Sequence, residues 1–293
     1  MSCPECFTGH VHHGMSVGTI KELYGAQTYV TLPPNIAEPK NTIIFYCDAF
    51  GLNLVNNKLL ADRYAAETGC RVLAPDLFPG GAASVQTMMA LNNLFRPVPS
   101  SLSYLNPFMY MGKAYNLVRT LGGAAPFMYY NNPPKAFPGC LRYAREVRGA
   151  MPSDGKLGVA GFCWGGYQVT KLACEPVTEG GGDKALVDAV FTAHPSALKA
   201  PDDVVAAIGT FKVPYSCAVA EIDIQFNKKA AQDTETTVKE KLGAGVGTYE
   251  FVLWEGCHHG FAVRASPDEG ATGDKGYEGA AKQAVTWFNK HLS

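Results

Sequence analysis

Residues 156–174 of this 293-residue chain carry its strongest chemical signal. An apolar run, Leu157-Gly158-Val159-Ala160, leads into Gly161-Phe162-Cys163-Trp164-Gly165-Gly166, and a helical pattern follows. A strand, a tight turn and a helix together lift a nucleophile clear of a sheet. Side chains two positions either side of the nucleophile would collide in so sharp a turn, hence Gly161 and Gly165. The thiol of Cys163 then stands at a helix N-terminus, where the dipole and free N–H groups favour a thiolate. The N–H of Trp164 is placed to donate to an oxyanion. The bland alternative is a glycine-rich packing turn around a buried cysteine.

A cysteine nucleophile wants a histidine, and the histidine wants an orienting acid. On such a scaffold they follow in the order nucleophile, acid, histidine. An apolar run at 213–220 ends in Glu221-Ile222-Asp223, and another at 248–254 is followed by Gly256-Cys257-His258-His259-Gly260-Phe261. Asp223 and His259 thus fall on loops after consecutive strands, where they could converge on Cys163. Asp223 is favoured over Glu221, which lies nearer the strand body; spacing alone does not separate His258 from His259. His194, in Ala193-His194-Pro195-Ser196, also follows a strand and reads as structural support for the sheet edge.

The elements that must hold these residues alternate. Strands are predicted at 27–32, 42–47, 70–74, 156–160, 187–192, 213–220 and 248–254. Helices are predicted at 56–68, ended by Gly69, and at 165–174, 202–209, 228–241 and 276–291. Continuous apolar runs such as Thr42-Ile43-Ile44-Phe45-Tyr46-Cys47 suit strands buried on both faces. Repeated strand–helix units imply an α/β fold, with a mostly parallel central sheet and helices on both faces. Residues 180–182 and 266–276 read as surface loops. The stretch 79–138 stands apart: it is rich in Met, Phe and Tyr, carries many prolines and has few charges. It reads as an apolar insertion in a single domain spanning 1–293, either a lid or cap over a pocket or extra helices on the sheet edge.

Composition bounds the rest. Apolar residues make up 47 % and the formal net charge is −1, without a basic patch, so nucleic acid is not an expected partner. No apolar run is long enough for a membrane span, and Met1-Ser2-Cys3-Pro4-Glu5-Cys6 does not read as a signal peptide. A cytoplasmic protein, monomer or homodimer, is the expectation. Nine cysteines, with Cys47, Cys70 and Cys217 in predicted strands, read as buried free thiols rather than disulfides.

Taken together, these motifs resemble the dienelactone hydrolases, most closely the fungal intracellular branch, on an α/β-hydrolase fold. The features are Met1-Ser2-Cys3-Pro4, Asp48-Ala49-Phe50-Gly51-Leu52, Pro75-Asp76-Leu77-Phe78, the Cys163 elbow, Ala193-His194-Pro195-Ser196, Ala220-Glu221-Ile222-Asp223 and His259-Gly260-Phe261-Ala262-Val263-Arg264. They stand in family order and span nearly the whole chain. The resemblance implies a Cys163–His259–Asp223 triad, with Ala49 N–H as second oxyanion donor beside Trp164. It implies Asp48 as a modulator of the nucleophile's ionisation, and Phe50 and Arg264 as substrate contacts; it implies no cofactor and no metal. Three departures stand out. Ala49 replaces a larger apolar residue, Ile224-Gln225-Phe226 replaces an acidic, proline-containing loop, and Arg264 is offset by one from the family's carboxylate-binding arginine. A small, doubly charged dienelactone is therefore not the expected substrate. The expectation is hydrolysis of an ester or lactone through a thioester, on a bulky apolar or polyketide-like molecule. The rivals are a non-hydrolytic isomerase, lyase or cyclase on the same scaffold, and zinc binding by Cys3, Cys6, His10, His12 and His13.

Overall fold

A computed structural model of the chain describes residues 7–96, 106–243, 247–265 and 270–293. Eight strands form one sheet: β1 (Thr19–Leu23), β2 (Ala26–Thr31), β3 (Thr42–Tyr46), β4 (Arg71–Pro75), β5 (Leu157–Phe162), β6 (Ala189–Ala193), β7 (Tyr215–Ile222) and β8 (Tyr249–His258). Their order is β1-β2-β4-β3-β5-β6-β7-β8. Strands β4 to β8 and β3 pair parallel, while β1 and β2 are antiparallel at one edge. Every residue of β3, β5 and β6 is buried, which is why these strands read as unbroken apolar runs. Strand β1 was not expected: four of its five residues, from Thr19 on, are exposed, so it carries no apolar period to read.

The helices are α1 (Val55–Thr68), α2 (Val85–Phe95), α3 (Pro107–Tyr130), α4 (Pro133–Gly149), α5 (Trp164–Leu172), α6 (Asp202–Gly209), α7 (Lys228–Leu242), the short α8 (Phe261–Arg264) and α9 (Gly270–Leu292). Helix α9 begins at Gly270, so part of the expected 266–276 loop is helical instead. From β3 the chain crosses through α1 to β4 on one side; from β5 it crosses through α5 to β6 on the other. Right-handed crossovers in opposite directions put α1 on one face, where α9 joins it, and α4 to α7 on the other.

That reversal between β3 and β5 is a topological switch point, and it opens a crevice beyond their C-terminal ends. Register carries the consequence. Tyr46 pairs with Gly161, so the residues just beyond, Asp48 and Ala49 after β3 and Cys163 after β5, emerge side by side. Phe162 pairs with Ala193 and Ala193 with Ala218, which brings the His194–Ser196 loop and the end of β7 to the same edge.

Within 79–138, α2 and α3 form an arm outside the sheet, and α4 begins at Pro133. The inner side of the arm is buried through Met88, Leu91, Thr120 and Phe127, whereas Phe108, Met111 and Tyr115 stay exposed.

Candidate active site

The elbow is built from collisions that only glycine avoids. Cys163 adopts φ 52° and ψ −110°, outside the regions a side-chain-bearing residue prefers. The strain is held in place by its neighbours. Cys163 N–H donates to Ala193 O at 3.3 Å, and Cys163 O accepts from Gly166 N at 3.0 Å and Ser196 N at 2.9 Å. A Cβ on Gly165 would stand 2.1 Å from Tyr46 O, and one on Gly161 would stand 2.4 Å from Gly165 O. The sheet and helix can therefore meet only with glycine at both places.

Cys163 is buried, 2 % exposed, and its Sγ lies 3.4 Å from the hydroxyl of Ser196. Trp164 is the first residue of α5, where helix geometry gives the N–H no intrahelical acceptor. Its ring is anchored: Nε1 donates to Asn131 O at 2.7 Å, and the ring lies 4.3 Å from Phe78. Ala49, buried beside the elbow, accepts at its carbonyl from Ala83 N.

Asp223 and His259 meet, although 36 positions separate them. Asp223 Oδ2 lies 2.8 Å from His259 Nδ1, with both side chains fully buried. Asp223 Oδ1 accepts from Gln225 N at 2.7 Å, so both carboxylate oxygens are engaged. Gln225, one of the departures noted in the sequence, accepts from Ala197 N through its side chain and ties the β7 loop to the β6 loop. The rival acid is used elsewhere: Glu221 accepts from Gly256 N at 2.9 Å. The rival histidine, His258, is exposed at the end of β8. A Gly-x-Ser-x-Gly also occurs, at Gly14–Gly18, but on an irregular segment before β1 that no strand enters and no helix leaves.

His194 lies within this cluster, fully buried. Its ring is 4.9 Å from that of His259 and 5.6 Å from Phe261, and its two nitrogens have no hydrogen-bond partner among the described residues. Burial, then the positive fields of His259 and Arg264, hold its pKa well below the usual histidine value, so it is neutral. Three buried thiols away from the elbow, Cys47, Cys140 and Cys217, are pushed well up by burial and stay neutral. Cys47, Cys70 and Cys217 are free and buried, in agreement with the sequence reading.

Arg264 differs from its expected role as a substrate contact. It is 2 % exposed, and its Nε lies 2.8 Å from Asp48 Oδ2. Nη1 donates to Thr8 O, and the guanidinium lies 5.2 Å from the Phe50 ring, itself fully buried. Asp48 Oδ1 accepts from Phe50 N and Asn57 Nδ2. Arg264 and Phe50 thus join Asp48 in a buried assembly, and the guanidinium is matched before any ligand arrives. Sequence reasoning missed Asn57, which reads as an ordinary polar residue of a helix, and Asn131, whose partners Gly80 and Gly81 are near only after folding. Ser196 carried a signal, since it stands in the motif already singled out after β6.

Cys3 and Cys6 lie outside the described residues. Among the described residues, no cluster of three or more His, Cys, Asp or Glu is placed to hold a metal. His12 instead stacks edge-on with Tyr277, 4.9 Å away, and its main chain is held by Asn56. No described helix is long and apolar enough to cross a membrane.

The dienelactone hydrolase family model matches residues 26–292. The hydrolase PyvD of Aspergillus violaceofuscus is 29 % identical over 98 % of this chain and 96 % of its own length. Dienlactone hydrolase 1 of Gibberella moniliformis is 25 % identical over 88 % of this chain and 82 % of its own length. Among solved structures, a Klebsiella pneumoniae protein described as a dienelactone hydrolase superposes with a TM-score of 0.59 at 15 % identity, covering 91 % of this chain and 93 % of that one. A thermophilic esterase of Thermogutta terrifontis superposes at 0.54 and 12 % identity, covering 94 % and 92 %. With its mostly parallel sheet, its switch-point crevice and a family match across nearly its full length, the chain belongs to the dienelactone hydrolase family of ester and lactone hydrolases, on the α/β-hydrolase fold.

Proposed function

We propose that the chain hydrolyses an ester or lactone through Cys163, His259 and Asp223 by way of a thioester, on a bulky, largely apolar substrate. The buried Asp223–His259 contact of 2.8 Å is the observation that carries this reading. An acid on Nδ1 fixes the imidazole tautomer and leaves Nε2 as the base. Nε2 takes the proton of the Cys163 thiol, the thiolate attacks the carbonyl carbon, and the N–H groups of Ala49 and Trp164 receive the oxyanion. The C–O bond breaks, His259 supplies the proton to the leaving alkoxide, and the acyl group stays on sulfur. Water then gives a proton to His259, attacks the thioester, and releases the acid and the thiol.

The matched state of Arg264 supports the substrate class. Its charge is already balanced by Asp48, so it is not a spare cation for a substrate carboxylate. The apolar 79–138 segment reaches the elbow at Asn131, whose carbonyl accepts from Trp164 Nε1, and favours a larger apolar molecule.

Kinetics with p-nitrophenyl esters and aromatic lactones, run in heavy-oxygen water, test this. Hydrolysis puts one labelled oxygen in the acid product, and Cys163→Ala abolishes turnover. An unlabelled product, or an active Cys163→Ala enzyme, contradicts it.

A further inference from the structure

The loop after β6 holds Cys163 by its main chain and by its side chain. Cys163 N–H donates to Ala193 O at 3.3 Å, and Ser196 N–H donates to Cys163 O at 2.9 Å. The Ser196 hydroxyl lies 3.4 Å from Cys163 Sγ. Ser196 is 3 % exposed, and the residues around it fix its place. His194 N–H donates to Ala218 O at 3.0 Å, and Ala197 N–H donates to Gln225 Oε1 at 3.2 Å. Pro195 sits against the first turn of α5, where a Cβ on Gly166 would stand 2.6 Å from the proline Cβ. His194 and Ala197 have φ of 38° and 62°, a left-handed conformation that residues with a side chain seldom take. Two such residues so close together persist only where their surroundings over-determine them, and such strain gathers at working sites. What this strained loop delivers to the elbow is a hydroxyl at the sulfur.

We propose that Ser196 is a further catalytic residue, whose hydroxyl donates to the thiolate of Cys163 and holds it ready for attack. The inference rests on Cys163 as the nucleophile. Chemistry fixes the direction of the bond. A thiol and a hydroxyl can each donate, and the hydroxyl proton turns to suit its partner. A thiolate has no proton, so once His259 has taken it the hydroxyl is the donor. Ser196 keeps its own proton throughout, and only its hydrogen bond turns. While the acyl group sits on sulfur, the sulfur is uncharged and accepts weakly. When the thioester C–S bond breaks, sulfur leaves as thiolate and accepts from the hydroxyl again. The same group therefore favours sulfur at the start and at the end of the cycle.

The surroundings call for such a donor. Burial holds the thiols of Cys47, Cys140 and Cys217 protonated, and Cys163 is nearly as buried as they are. The charged and titratable groups of the corner do not offset this. Asp48, beyond β3, is paired with Arg264 of α8, and Asp223, beyond β7, is paired with His259, beyond β8. His194, on the loop of Ser196 itself, is neutral. Until His259 takes the proton, these groups sum to a negative charge. Dipoles must then favour the thiolate: the N-terminus of α5 and the hydroxyl of Ser196.

Alkylation of Cys163 by iodoacetamide tests this without any turnover. Its rate is followed from pH 6 to 10 by mass spectrometry of the peptide that bears Cys163, with circular dichroism as the folding control. Ser196→Ala keeps the backbone N–H and removes only the hydroxyl. It is expected to react roughly tenfold more slowly than wild type near pH 6.5, the loss of one hydrogen bond to a charged group. The gap is expected to close as pH rises, because the less stabilised thiolate is the stronger nucleophile once formed. With a p-nitrophenyl ester, the acid limb of the kcat/KM profile is expected to move to higher pH in step. Coincident alkylation profiles overturn the proposal. A deficit of the same factor at every pH overturns it too, since lost packing alone would give that result. A deficit confined to high pH also overturns it, because the hydroxyl would then favour the thiol. Failure of the hydrolytic reading shows instead as an active Cys163→Ala enzyme, so the two failures are distinct.

Discussion

The corner where β5, β7 and β8 end and the α2–α3 arm are both apolar in sequence, yet they are finished differently. At the corner the charged groups are paired and the backbone is tied down. Asp223 meets His259, Asp48 meets Arg264, and the backbone of Cys163 is held by Ala193, Gly166 and Ser196. In the arm, one side of α3 is closed on α2, and the other carries exposed apolar residues such as Met111, Tyr115 and Val118. A site that moves protons needs charges fixed in low dielectric, whereas an arm needs only area and shape. The contrast implies that corner substitutions act through chemistry and lost charge pairing, while substitutions on the open side of the arm hardly change stability.

The largest effect is expected at Asp223. Asp223→Asn is expected to lower kcat by roughly 10³- to 10⁴-fold, because the imidazole loses its fixed tautomer. Steady-state kinetics with a p-nitrophenyl ester check this, and Glu221→Gln serves as the control that stays near wild type. If Glu221→Gln were the damaging one, the corner would be wired differently.

Next is the buried ion pair. Arg264→Ala leaves Asp48 uncompensated where both side chains are almost wholly out of solvent, and such a loss costs about 3–5 kcal/mol of stability. Urea unfolding measures it, and a loss under 1 kcal/mol would mean that Asp48 finds water instead.

A smaller effect is expected with pH. His194 is buried and neutral when folded, with its pKa held down, but free to take a proton when unfolded. The unfolded chain then binds more protons, so stability is full above the unfolded value of 6.5 and falls as pH drops below it, by at most about 1.4 kcal/mol per unit. Urea midpoints at pH 7.5, 6.5 and 5.5 are expected to fall with acid in the wild type, and less steeply in His194→Phe. Equal slopes would remove His194 from the account.

The smallest effect belongs to the open side of the arm. Met89, 56 % exposed on α2, is expected to accept alanine within about 0.5 kcal/mol. Phe127→Ala, on the closed side, is expected to cost about 3–5 kcal/mol, and comparing their thermal unfolding checks the difference between the two sides.

Much of the corner was legible because local rules wrote it. The elbow shows itself in Gly161, Cys163 and Gly165 because a turn that tight excludes other side chains. The parallel strands show themselves as apolar runs. What was not legible depends on distant meetings. Asp48 and Arg264 lie far apart in the chain, and α8 turns Arg264 inward to the carboxylate, a pairing that neither residue's local sequence announces. Helix α3 was hidden by Gly122, Gly123 and Pro126, which oppose helix in isolation and are tolerated in place. Strand β1 was hidden by its exposure.

Mass spectrometry of an acyl adduct tests the central claim most directly. The enzyme is mixed with excess p-nitrophenyl ester, quenched in acid within milliseconds and digested. The acyl mass is expected on the peptide bearing Cys163, lost on hydroxylamine treatment and absent from Cys163→Ala. Acylation of any other residue, or full turnover without a Cys163 adduct, would contradict the account.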